Sequence, residues 1–265
     1  MGEALRNITP SNSKVSLSKN TGLPRSLSTA RNDGYISKYG LLLDLSSICF
    51  SLIGDFYIKT KGRGDVYESD LMNLPYISDN RLRLRVLLLS CLTKYYAELW
   101  EGSFIPEFTQ DSWAKDDPRL PKDTFSKLSN KWDWHTPLRT DFARRQALIE
   151  IDVLTAMAIG MTLDELCTIY RIQFPVLQSY EKNTWFDAKG RIVFSAKNMG
   201  DLIYKRKDFE RIKDAKAGEV FTRTITDDTK PGGPFQRKIE YVAPFDCCDR
   251  EKDYETAWKF FELRN

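Results

Sequence analysis

The sequence has 265 residues, enough for one large or two small domains with a proper core, and its 42% hydrophobic and 29% charged content is ordinary globular usage. A net charge of +3 is too small to announce a nucleic-acid partner, so any basic surface has to come from clustering. Five irregularly spaced cysteines argue against a disulfide framework and for a reducing, cytoplasmic setting, and the longest apolar stretch, Leu41 to Ile53, is broken by Asp44 and three serines and is too short to span a bilayer.

Residues 1–37 are rich in Ser, Asn, Lys and Thr and lack apolar periodicity, which predicts a disordered or extended tail. Leu41, Leu45, Ile48 and Leu52, with Leu42, Cys49, Ile53 and Phe56 beside them, predict one largely buried helix. It ends in the basic turn Lys59-Thr60-Lys61-Gly62-Arg63-Gly64. Glu68 to Leu74 reads as a polar helical turn closed by Pro75. A second helix is expected over Asp79 to Trp100, with Leu84, Leu88, Cys91, Tyr95 and Leu99 on one stripe. Residues 101–137, with four prolines and three tryptophans, predict an irregular segment stapled over the core.

Thr140 or Asp141 caps a helix that runs to Ile159 and stops at Gly160; Arg144 and Arg145 are expected on its outer face. Thr162 to Glu165 is a capping box that starts a helix to about Ile172, and Pro175 opens another short turn. Arg191 to Phe194 reads as a strand. Val220 to Thr226 and Phe235 to Val242 alternate apolar and polar residues and predict a hairpin with a long loop. Asp253 to Leu263 is a last helix with Tyr254, Trp258 and Phe261 inward. The fold class is therefore α+β, mainly helical, with a small antiparallel hairpin.

The chain has no Gly-rich strand-to-helix turn for a methyl donor, no Pro-Pro, and no phosphate-binding Gly-Lys-Ser/Thr loop. One His and no CxxC pair argue against a zinc site. His135 could act as a general base, but no nucleophile motif accompanies it, which favours a loop residue packed between Trp134 and Pro137. Asp228-Thr229-Lys230 could form half of a metal-dependent nuclease site, yet Pro231-Gly232-Gly233 puts it on a loop. No catalytic, cofactor or metal residue is assigned. The turn Lys59, Lys61, Arg63 suits phosphate oxygens; a solvated helix end complementing the helix dipole suits it equally.

Two segments carry a resemblance. Leu41-Leu42-Leu43-Asp44-Leu45-Ser46-Ser47, continuing through Phe56-Tyr57 and Gly62-Arg63-Gly64-Asp65-Val66-Tyr67 to Leu71-Met72-Asn73-Leu74-Pro75, is similar to the end of target-recognition domains in adenine methyltransferases of type I and type IIG restriction–modification systems. Ser46 stands where that family usually has Asn. Ile151-Asp152-Val153-Leu154, Ile159-Gly160-Met161-Thr162, Asp164-Glu165-Leu166 and Phe174-Pro175-Val176 resemble the helical segment after the recognition domain of type IIG enzymes, with Ile159 in place of Tyr. Together they cover roughly a quarter of the chain.

The resemblance implies DNA recognition in a phage-defence adenine methyltransferase. The methyl-transferring chemistry and its S-adenosylmethionine would belong to a parent or partner lobe, with motifs upstream of Met1. Duplex DNA and that lobe are the implied partners, with no membrane; the clustering of Lys59, Lys61 and Arg63 beside glycines makes these three the expected DNA contacts. The expected organisation is a tail (1–37), the end of a target-recognition region (38–78), a helical domain (79–183), and a hairpin with a C-terminal helix (184–265). A protein-docking subunit and a metal-dependent nuclease are the alternatives.

Overall fold

The computed structural model describes residues 39–62, 65–197, 199–229 and 231–264. The tail expected over residues 1–37, Arg63 and Lys230 lie outside them. At 48% helix and 11% strand the chain is α+β and mainly helical.

The apolar run after Tyr39 forms two helices rather than one. These are α1 (Gly40–Cys49) and α2 (Leu52–Thr60), bent by 71°. Ser51 makes the break: its hydroxyl donates to the Ile48 carbonyl at 2.7 Å and accepts from the Gly54 amide at 3.0 Å. The Leu52 amide donates to the buried Asp152 carboxylate at 2.6 Å, an anion placed where a helix N-terminus favours one. Gly54 turns beneath the end of α1, and a Cβ there would overlap the Ile48 carbonyl oxygen. Gly54→Ala should therefore cost about 1–3 kcal/mol, as overpacking generally does. Urea titration of both proteins checks this; an unchanged midpoint would mean that the bend opens freely.

The helix α3 (Glu68–Met72) follows, and then the expected Asp79 to Trp100 helix is split into α4 (Asn80–Ser90) and α5 (Ala97–Ser103). The carbonyls at the end of α4 are taken by distant donors. Leu88 O accepts from the Leu138 amide at 3.0 Å, Leu89 O from Arg144 at 3.0 Å and Cys91 O from the Trp132 indole at 2.8 Å. Tyr95, expected on the inner stripe, is 86% exposed. Residues 104–139 are irregular apart from a short 3-10 turn at Pro106–Gln110. Trp113 and Trp132 staple this segment as expected, the first through the Thr124 hydroxyl. Trp134 does not: it is exposed, with Arg139 stacked over its ring.

The central helix α6 (Asp141–Ala158) is buried on nearly every side. Arg144 and Arg145 do not form an outer face. Arg145 lies between Glu181 at 2.6 Å and Asp253 at 2.7 Å, and Arg144 turns toward the end of α4. Gly160, at φ +78°, ends the following turn. Thr162 and Glu165 form the capping box that starts α7 (Leu163–Gln173), the Glu165 carboxylate accepting from the Thr162 amide at 2.7 Å, and α8 (Pro175–Lys182) follows.

The rest is a smaller lobe. A sheet of β2 (Ile192–Ser195), β1 (Thr184–Phe186) and β5 (Asp246–Cys247) is antiparallel throughout; of these only β2 was expected. The helix α9 (Arg206–Phe209) precedes the predicted hairpin, β3 (Val220–Asp227) and β4 (Phe235–Val242), paired over all eight positions. The last helix, α10 (Arg250–Glu262), starts three residues earlier than expected, at the Asp249 cap. One hydrophobic core joins α1, α2, α4, α6, α7 and α10, so residue 78/79 does not divide two cores and α10 packs with the helical body. A second core, around Val193, Phe194, Phe209, Ile225, Ile239, Tyr241 and Phe245, holds the small lobe together.

No single described helix is long and apolar enough to cross a membrane.

Candidate nucleic-acid interface

The basic turn at the end of α2 is less free than its sequence suggests. Lys59 Nζ is 2.8 Å from the Asp55 carboxylate, one turn earlier, and lies 3.9 Å over the Phe174 ring. Lys61 lies 4.8 Å over the Tyr57 ring and has no ion-pair partner among the described residues. Arg63 is outside the described residues. Phe174 comes from the second family-like segment, so the two segments meet here. Their other meeting point is Asp152, which takes the Leu52 amide of α2 and, from α10, Arg250 at 2.8 Å and the Tyr254 hydroxyl at 2.6 Å. Burial pulls Arg250 down, but Tyr254, Asp152 and Glu181 reverse this and hold it well above its ordinary range. Asp152 is therefore a structural tie.

A stronger cationic surface lies on the small lobe. Residues 184–245 contain 13 Lys or Arg and 9 Asp or Glu, a balance of +4 that exceeds the +3 of the whole chain. Phe209 packs between Trp185 and Phe194, parallel to Phe194 at 4.9 Å and tilted against Trp185 at 5.4 Å. Cations cover these rings from outside, Arg206 at 5.1 Å from Phe194 and Lys213 at 4.8 Å from Trp185. Tyr204 packs edge-on against the buried Tyr241, whose hydroxyl donates to the Leu202 carbonyl, and Arg223 from β3 lies 4.9 Å over the Tyr204 ring.

Lys205, Arg206 and Lys207 thus emerge beside Arg223, all three exposed. Lys205, Lys207 and Arg223 have no ion-pair partner among the described residues, and Arg206 has only Glu210, 4.0 Å away. This run of three adjacent cations was readable in the sequence. Its link to Arg223 was not, because 16 or more residues separate them and only the packing of Tyr204 on the hairpin joins them.

The remaining candidates stand apart. His135 is exposed in a turn, its amide donating to Asp133 at 2.6 Å, beside an exposed Trp134. Asp228 is exposed, and the neighbouring Asp227 closes a turn onto the Thr229 amide and hydroxyl at 3.1 and 2.6 Å. No group of three His, Cys, Asp or Glu among the described residues is placed to hold a metal ion. Burial pushes Cys247 up to about 12 and Cys248 up to about 11, so neither thiol ionises near neutral pH. A cleft of about 430 Å³ lies beside α10, but the Arg250 and Glu181 in its wall already pair with each other at 3.0 Å. Among the described residues both sheets are antiparallel, and the turn from β5 into α10, Cys248-Asp249, has no glycine and so is not the Gly-rich strand-to-helix turn that cradles a nucleotide. Comparison with known proteins returns no matching family model, no similar curated protein and no similar solved structure.

Proposed function

We propose that the chain is the DNA-contacting, C-terminal part of a cytoplasmic restriction–modification adenine methyltransferase. It works beside a separate lobe that holds S-adenosylmethionine and transfers the methyl group. The observation that carries this reading is the exposed run of Lys205, Arg206 and Lys207 with the half-buried Arg223 over the neighbouring Tyr204 ring; of these four, three lack carboxylate partners among the described residues. Cations left free in this way are available to displace counterions from phosphates. Lys61 and Arg63 contribute at the α2 turn, while Lys59 is largely neutralised by Asp55.

Salt dependence of duplex binding tests this. The triple variant Lys205→Ala, Arg206→Ala, Lys207→Ala should weaken binding of a random-sequence duplex. It should also reduce the slope of log K against log salt by about 2–3, since each phosphate contact contributes about 0.9. Lys59→Ala, Lys61→Ala, Arg63→Ala should reduce it by less, about 1–2 on the same basis. An unchanged slope in both variants would remove these residues from any interface. A chain with no salt-sensitive DNA binding that co-purifies with a larger protein would instead be a docking subunit. The exposed Ile172 and Val176 of α7 and α8 (67% and 63%) favour that second reading.

A further inference from the structure

The hairpin of β3 and β4 has one face committed to the lobe and one face open. Ile225, Ile239 and Tyr241 are buried in the second core. Pleating sends the alternate residues to the other side, and there Thr222, Thr224 and Thr226 stand opposite Glu240, Lys238 and Gln236. All six are exposed. The Gln236 amide donates to Thr226 Oγ1 at 3.1 Å, which orients it, and Lys238 has no ion-pair partner among the described residues.

This face contains hydroxyls, an amide, an ammonium and a carboxylate and no aromatic side chain; its apolar residues, the exposed Val220 and the half-buried Val242, pair at the end away from the loop, so its centre is polar. Protein-binding patches have apolar or aromatic centres, and single-strand binders need rings on which bases stack; the face offers neither. Its chemistry matches the donors and acceptors on base edges in a duplex major groove, where Thr, Gln, Lys and Glu each have recognised partners. Size agrees. Two strands roughly 4.8 Å apart, with side chains, enter a groove about 12 Å wide that admits a two-stranded ribbon. Arg191 borders the outer edge of β4, with Nη1 3.5 Å from the Glu240 carbonyl, on the side where a phosphate ridge flanking the groove would run.

We infer that the open face of the β3–β4 ribbon inserts into the major groove of duplex DNA and reads sequence there, chiefly through Thr224, Gln236 and Lys238. This inference rests on the DNA-contacting role proposed above. The exposed Arg191, beside the edge of β4, then supplies sequence-independent grip.

Selection of bound sequences from a randomised duplex pool by the full chain tests it. The native chain should enrich a common motif. Thr224→Ala with Gln236→Ala, both exposed and outside either core, should erase preference at two or three positions of that motif, by about tenfold or more per lost contact. Their salt slope on random duplex should stay unchanged, because neither residue carries charge. Circular dichroism identical to native confirms that the lobe is intact; a collapsed spectrum moves the test to Lys238→Met alone, which should lose preference at one position. Binding of duplex with no enriched motif, or a motif unaltered in the folded variants, overturns the inference and leaves the DNA-contacting role standing. No duplex binding overturns both. Preference for single strands over duplex overturns the ribbon's insertion into a groove.

Discussion

Glu150→Ala is expected to lower the unfolding free energy by about 3–5 kcal/mol, the usual cost of removing one partner of a buried ion pair. Arg85 and Glu150 are both fully buried, with Nε and Oε2 2.6 Å apart. Glu150 also accepts from the Ala114 amide at 2.8 Å and from Gln146 at 3.0 Å. Burial pulls the Arg85 guanidinium down, yet Glu150 and Asp111 more than compensate and keep it charged. Without Glu150, Arg85 keeps Asp111 at 2.7 Å, but its remaining charge and the Ala114 amide lose their acceptor in the dry core. The double variant Arg85→Met, Glu150→Leu should recover part of the loss, because removing both charges also removes their desolvation cost, while Asp111 and the Ala114 amide stay without their partners. Guanidinium unfolding of the three proteins decides the matter. A single variant within about 1 kcal/mol of native would mean that water reaches this site.

Asp152→Ala should be similarly costly, about 3–5 kcal/mol, and more informative about assembly. The carboxylate serves three groups on two helices at once: the Leu52 amide of α2, and Arg250 and Tyr254 of α10. Its loss strands an amide, a hydroxyl and half of the Arg250 pairing, leaving Arg250 with Glu181 at 3.0 Å. Asp152→Asn should be milder, because the amide oxygen still accepts from Leu52. Hydrogen exchange separates the two effects. In Asp152→Ala, amides of α2 and α10 should lose protection before those of α6. Uniform loss across the core would show that Asp152 does not join these helices specifically.

These two carboxylates show how far the chain could be read in one dimension. Glu150 and Asp152 look like polar interruptions of an apolar helix, and nothing near them in sequence reveals that Arg85 and Arg250 lie alongside. The Lys59 turn shows the same limit. Three cations in five residues suggest a phosphate site, but Asp55 and the Phe174 ring occupy Lys59. The Lys205–Lys207 run is equally visible, but its value depends on Arg223 being brought over the neighbouring Tyr204 ring, which local sequence does not show.

What the sequence determined by itself is what short-range chemistry decides. The capping box at Thr162 and Glu165, the stop at Gly160, the α6 span and the β3–β4 pairing each depend on residues within a few positions, or on alternation that assigns each side chain to a face. Only the tertiary structure decided where the long apolar runs break. The α4 helix ends because Leu138, Arg144 and Trp132 take its last carbonyls, and the local Ser51 cap of α2 is completed by Asp152, which takes its first amide. Helix ends leave backbone groups that require partners; when those partners come from 40 to 100 residues away, local pattern carries no record of them.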